Sequence, residues 1–257
     1  METTILSAVT SRQLCLDAIF AWSKARLAYN NLEPYFEQNS SFVFDETFTR
    51  WIEPWMLNGY FHSYIGLLDD QLLLICVPLD PDGNEADLDG YFTVPLETLT
   101  DIIDLTETIT TTIVEWSTID KDMVVKKQST VLPQSYQASS EITTDMAAAE
   151  IQRWVEYGAD WLYKETLSET NSISRAYQVP LSDALVLEKN KVRHCLFAMK
   201  WVPALKQMIM TFVFVEVSCM SDSDGEVFDN NTIQTNCNDF ARPCPPFCRT
   251  GRKFALL

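Results

Sequence analysis

Four cysteines, Cys219, Cys237, Cys244 and Cys248, fall within thirty residues of this chain. Thiolates grouped so closely can hold zinc, which takes four sulfur or nitrogen ligands at tetrahedral corners. The spacing C-x17-C-x6-C-x3-C lacks the C-x2-C pair that presents two thiolates from one tight turn. The sequence therefore leaves three states open: free thiols, which lead, a zinc site, and a local disulfide such as Cys244–Cys248. Cys15 and Cys76 lie in apolar runs and read as core thiols. An odd total of seven cysteines does not suit a full disulfide framework.

A second group of ligands lies in Asp80–Gly90, D-P-D-G-N-E-A-D-L-D-G. Asp80, Asp82, Asn84, Asp87 and Asp89 place five oxygen donors in one short loop, the ligand type that calcium takes. An EF-hand order requires Gly at the sixth loop position and Glu at the twelfth. Here Gly83 stands fourth and no Glu closes the loop. A solvated acidic turn is the leading expectation, with a cation loop as its alternative.

His62 and His194 are the two histidines, each in a strand-like segment. Nucleophilic chemistry needs a histidine within reach of a serine or cysteine. Cys195 adjoins His194, and neighbours along a strand point to opposite faces, so these two do not form a dyad. A structural role is expected for each histidine. The enzymatic alternative is a hydrolase or metal-dependent enzyme with a site assembled from His62, His194 and distant carboxylates. No G-x-G-x-x-G, G-x-x-x-x-G-K-[ST], G-x-S-x-G or H-E-x-x-H motif occurs, and with seven glycines a Gly-rich phosphate loop is not expected. Trp154 and Trp161 are seven residues apart and share a helix face, which core packing explains. Trp51 and Trp55 mark a second aromatic cluster, an aromatic platform or interface being the alternative.

Elements must position these residues. Val192–Ser218 reads as two long strands joined near Val202-Pro203-Ala204, and as the organiser of the core. His194, Leu196, Ala198 and Lys200 share one face; Cys195, Phe197, Met199 and Trp201 share the other. Glu216, inside the second strand, is expected to meet water or a partner charge. Thr10 or Ser11 caps an amphipathic helix to about Leu32, before Pro34. Asp45 caps a short helix through Arg50 or beyond, disturbed by Pro54, and Asn58-Gly59 is a turn. Tyr60–Leu67 and Gln71–Val77 form a hairpin around Asp69-Asp70. A short helix is expected within Leu96–Leu105. Thr106–Ser117 and Met123–Val131 are strand-like, with a turn at residues 119–122. Thr143 or Thr144 caps a strong helix to about Glu169, and Ser174–Leu187 gives one more strand, with Pro180 at an edge or end.

The fold class is thus α+β: antiparallel sheet made of long hairpins, packed with at least two amphipathic helices. A faint repeat, L-D-P-D-G against M-S-D-S-D-G, allows two similar halves. These are an acidic half at 1–132 and a half at 144–257 with a Cys/Pro-rich tail, joined by a candidate linker at 133–143, or all one domain.

Composition bounds the function. With 47% hydrophobic residues the chain can build a core. The net charge is −17, and between Arg50 and Lys121 there are 14 acids and no Lys or Arg. Binding to a nucleic-acid backbone, which needs Lys and Arg, is not expected. Glu2 and Asp17 do not suit a signal peptide, and no apolar stretch approaches the ~20 residues of a membrane helix, so a cytoplasmic protein is expected. The leading functional expectation is a non-enzymatic protein-binding or assembly module with an acidic surface and a basic protein partner. No cofactor is expected beyond the calcium and zinc alternatives.

Overall fold

The computed structural model describes residues 8–36, 40–99, 106–110, 115–119, 123–129, 142, 144–188, 191–218, 237–238, 242–244 and 254–257. In chain order the elements are β1 (Ala8–Ser11), α1 (Arg12–Ala25), β2 (Ser40–Phe44), α2 (Glu46–Ile52), β3 (Tyr60–Leu68), β4 (Gln71–Pro78) and β5 (Gly90–Thr98). A group of three strands follows, β6 (Thr106–Thr110), β7 (Glu115–Ile119) and β8 (Met123–Ser129). The rest are α3 (Thr144–Leu167), β9 (Ala176–Pro180), α4 (Leu181–Ala184), β10 (Lys191–Val202), β11 (Gln207–Ser218), β12 (Cys237–Asn238) and β13 (Arg242–Cys244). The class is α+β, as the residue pattern requires.

Ten strands join one antiparallel sheet in the order β12-β11-β10-β2-β5-β4-β3-β9-β13, with β1 added to β5. β5 carries the corner. Its first half pairs with β1 and β4, and beyond Pro95 its last residues pair with β2. The sheet curls so far that Tyr177 of β9 meets Phe212 of β11 with ring centroids 4.2 Å apart, nearly closing a barrel. β2 pairs with β10 and β3 with β9, so strands from both sequence halves share one sheet and one core. The candidate linker at 133–143 lies outside the described residues except for Ile142.

The interior follows from strand alternation. Cys195 and Phe197 on β10, Phe212 and Phe214 on β11, and Phe42 and Phe44 on β2 all point inward and are buried. The opposite faces of β10 and β11, Leu196, Ala198, Val213 and Val215, carry Ala147, Ala148 and Ile151 of α3. α1 covers the outer face of the other strands: Cys15, Ala18 and Ile19 rest on Tyr64, Leu73, Ile75 and Tyr91. This double burial explains why the long hairpin is apolar on both faces. Trp154 stacks on Phe197 at 5.4 Å and meets Trp161 edge-on at 6.4 Å, while Trp51 lies against Phe48 and Phe92; the tryptophans pack the core.

Several expectations need correction. α1 ends at Ala25 rather than near Leu32, because Asn171 Nδ2 takes the Arg26 carbonyl at 3.0 Å and Ala28 turns extended. Short 3-10 turns, Tyr29–Asn31 and Glu33–Tyr35, replace the last part of the expected helix. Residues 96–98 continue β5 instead of starting a helix, because they pair with Ser40, Ser41 and Phe42; residues 100–105 are outside the described set. The expected strand at Ser174–Leu187 stops at Pro180, after which Leu181–Ala184 forms a helical turn. The caps at Ser11 and Asp45 form as expected, with Ser11 Oγ accepting from Leu14 N and Asp45 from Thr47 N and Phe48 N. So does the Asp69-Asp70 turn, both residues taking positive φ as a tight hairpin requires.

Candidate functional site

β3 alternation puts His62 and Tyr64 on the outer face of the sheet, where both are fully buried. The acidic loop supplies their partner. Glu85 pairs with Leu79 across the loop, and its carboxylate is 3% exposed. Its Oε1 lies 2.6 Å from His62 Nδ1 and also accepts from the Tyr64 hydroxyl. Its Oε2 accepts from the backbone N–H of Ala255 at 2.9 Å. Phe254 stacks on the imidazole at 4.1 Å, and the Leu256 N–H points to the Tyr64 oxygen at 3.5 Å. Burial, and then the adjacent Glu85 charge, push the Tyr64 phenol well above its ordinary value.

A carboxylate on Nδ1 orients an imidazole so that Nε2 can take a proton from a nucleophile. His62 Nε2 is buried and has no hydrogen-bond partner among the described residues. Phe254 covers the ring, so in this conformation the arrangement fastens two segments, the 80–89 loop and residues 254–257, to the sheet. Among the described residues one carboxylate, that of Glu85, meets His62.

His194 is elsewhere. β10 lies four places from β3 in the strand order, and its outward face brings His194 Nδ1 to Ser41 Oγ at 2.9 Å. Burial holds His194 below the ordinary histidine value. The two histidines therefore sit in separate environments and do not form one constellation.

The proposed cation ligands do not converge. Asp80 Oδ1 accepts from Asn84 N at 2.8 Å and Oδ2 from Asn84 Nδ2 at 3.3 Å, which holds Asp80 below the usual carboxylate range. Asp87 faces Arg12 at 3.2 Å, and Asp82 and Asp89 are exposed. Among the described residues no group of three or more His, Cys, Asp or Glu side chains is placed to hold a metal ion. Of the proposed zinc ligands, Cys244 is disulfide-bonded and in that state supplies no thiolate. Cys219 and Cys248 lie outside the described residues, and Cys237 is placed only as part of β12. Cys15, Cys76 and Cys195 are free and buried, and burial pushes each thiol up, Cys15 to about 11.

Sequence reasoning missed a buried ionic cluster at one end of the barrel. Register pairs Arg193 with Glu216, and Arg193 Nη2 and Lys191 Nζ each lie 2.9 Å from that carboxylate. The expected partner charge for Glu216 is thus found, and a hairpin centred between Ala204 and Leu205 would have named it. Nothing in the sequence links His62 to Glu85, because the loop's path over the sheet is a tertiary fact.

No helix of the described residues is long and apolar enough to cross a membrane. No protein-family model, curated protein or solved structure matches the chain.

Proposed function

We propose that this chain is a non-enzymatic protein-binding module whose acidic face docks a basic partner. The observation that carries the reading is where the bases go. Residues 51–99 contain nine acids and no Lys or Arg. Six of these acids are exposed: Glu53, Asp69, Asp70, Asp82, Asp87 and Asp89. Lys191 and Arg193, two bases of the second half of the chain, are engaged by Glu188 and Glu216. The ion pairs that reach into the interval among the described residues are Arg12–Asp87 and the buried His62–Glu85. Arg12 and Asp87 are 46% and 81% exposed, so solvent screens their attraction.

Local structure gathers part of this charge. Asn58 Nδ2 binds the Asp80 carbonyl at 2.8 Å, which draws the Glu53–Asn58 turn to the 80–89 loop. The Arg12 N–H binds the Asp89 carbonyl at 2.8 Å and seats the loop beside the start of α1. Glu53, Asp82, Asp87 and Asp89 thereby belong to one end of the sheet, while Asp69-Asp70 lie at the other end of the β3–β4 hairpin. A one-signed surface steers oppositely charged partners and repels nucleic acid. The alternative, a hydrolase, draws its support from the His62–Glu85 pair alone.

The test is affinity capture from native cell extract by the parent and by a variant carrying Asp82→Asn, Asp87→Asn and Asp89→Asn. Each is run at low salt and at ~0.5 M, where screening acts beyond a few ångströms. The expected result is a basic protein held by the parent at low salt and lost in the variant and at high salt. Equal retention in all conditions would remove the acidic face as the docking surface.

A further inference from the structure

Residues 254–257 sit on the sheet as a ligand would. They form a tight turn, closed by the Leu257 N–H on the Phe254 carbonyl at 3.4 Å, and belong to no strand. Phe254 stacks on the His62 imidazole at 4.1 Å and meets the Tyr64 ring edge-on at 5.8 Å. The Ala255 N–H donates to Glu85 Oε2 at 2.9 Å. The Leu256 N–H points to the Tyr64 oxygen at 3.5 Å, and its side chain joins the apolar cluster that holds Cys15, Tyr64, Tyr91 and Ala176. Three successive residues thus offer an aromatic ring, a backbone N–H and an aliphatic side chain to three matching features of one surface.

That surface is built by elements distant in sequence from the turn. His62 and Tyr64 come from β3, Tyr91 from β5, Ala176 from β9 and Cys15 from α1, while Glu85 comes from the 80–89 loop, 170 positions from Ala255. His62 and Tyr64 both engage Glu85 Oε1, which fixes the carboxylate and turns Oε2 to the Ala255 N–H. The turn's own hold is light. Of its four residues Leu256 is buried, Phe254 is half-buried, and Ala255 and Leu257 are exposed. A segment with so few buried apolar contacts opens far more readily than the core strands. Its release takes the donor from Glu85 Oε2 and the aliphatic side chain from the cluster. Leaving a carboxylate without its hydrogen bond is costly, so the vacated surface favours an occupant that supplies the same groups.

Charge agrees with this. The loop that carries Glu85 exposes Asp82, Asp87 and Asp89. In a chain with 36 acids and 19 bases, the five residues before Phe254, R-T-G-R-K, include Arg249, Arg252 and Lys253. Bases ahead of the phenylalanine complement an acidic loop beside its seat. We infer, resting on the reading of this chain as a protein-binding module, that the seat formed by His62, Tyr64, Glu85 and the Cys15–Tyr91 cluster docks a Phe-x-Leu turn of a partner protein. Residues 254–257 fill it in cis and compete with that partner. The middle residue of the motif must bring an N–H to Glu85. Proline therefore fails there, although proline suits the second position of a tight turn.

Fluorescence anisotropy with a labelled peptide of residues 251–257 tests this on the full chain. The double variant Phe254→Ala, Leu256→Ala weakens the cis turn, and Leu256→Ala alone replaces it if the double variant does not melt cooperatively. The expected result is saturable binding to the variant with a raised Tm, and about tenfold or more weaker binding to the parent, where the cis turn holds the seat in most molecules. Within the peptide, Phe254→Ala, Leu256→Ala and Ala255→Pro should each weaken binding about tenfold or more, the equivalent of one lost anchor or one lost charge-assisted hydrogen bond. Replacing Asp82, Asp87 and Asp89 by Asn in the protein separates the two readings: peptide binding that ignores this change keeps the seat and counts against the acidic face alone. No saturable binding to a folded variant, or equal binding of the Phe254→Ala and Ala255→Pro peptides, overturns the inference. So does a parent that is dimeric by light scattering while the double variant is monomeric, which assigns the turn to a second copy of the chain.

Discussion

The near-closure of the sheet can be tested through one ring contact. Phe212 on β11 and Tyr177 on β9 are six places apart in the strand order. In a flat sheet six spacings of ~4.8 Å would separate them by about 29 Å. Their rings lie 4.2 Å apart, and both residues are fully buried. Phe212 also meets Phe197 at 5.2 Å and Phe42 at 6.0 Å, so truncation to alanine should cost ~3–5 kcal/mol, a large part of a typical domain's stability. A gentler cycle isolates the contact: Phe212→Leu, Tyr177→Leu and the double variant, with urea denaturation followed by tryptophan fluorescence. The aromatic pair predicts a coupling of ~0.5–1.5 kcal/mol. As a control, Phe20→Ala on the exposed face of α1, where Phe20 is 61% exposed, should stay within ~0.5 kcal/mol of the parent. Additivity within ~0.3 kcal/mol would mean that the two rings do not touch and that β9 does not come round to β11.

Two further outcomes are expected. Gly66 lies under α1, where an added Cβ would stand 2.7 Å from Ile75 Cδ1 and 3.0 Å from Ala18 Cβ, so Gly66→Ala should cost ~1–3 kcal/mol in urea denaturation. Ile75→Val, which removes the clashing methyl, should recover part of that loss; an unperturbed Gly66→Ala would show that the helix does not pack so closely. His194 has a folded-state pKa below its ordinary value of 6.5 because burial disfavours the imidazolium. The unfolded chain then binds more protons at this site, so the contribution to stability is fully present above pH 6.5 and is lost as pH falls through the lower folded-state value. His194→Asn should flatten the acid side of the stability profile, and an identical slope in parent and variant would refute the assignment.

Much of this fold is written locally. The alternation of β10 and β11 names both buried faces in advance, since side chains along a strand must part to opposite sides whatever covers them. Ser11 and Asp45 specify helix starts because a short oxygen-bearing side chain satisfies the first free N–H groups without help from elsewhere. The tertiary structure decides where a local tendency is cut short or redirected. α1 yields at Arg26 because Asn171, distant in sequence, captures its carbonyl. Residues 96–98 become strand because Ser40–Phe42 offer them a ladder. The site residues divide along the same line. The Arg193–Glu216 pair is implied by hairpin register once the turn is placed, whereas His62 meets Glu85 through the path of a loop over the sheet. Periodicity tells a residue which side to bury; the partner on that side is set by long-range closure, in which the chain covers both faces of the sheet at once. That is a property of the whole arrangement, not of any one segment.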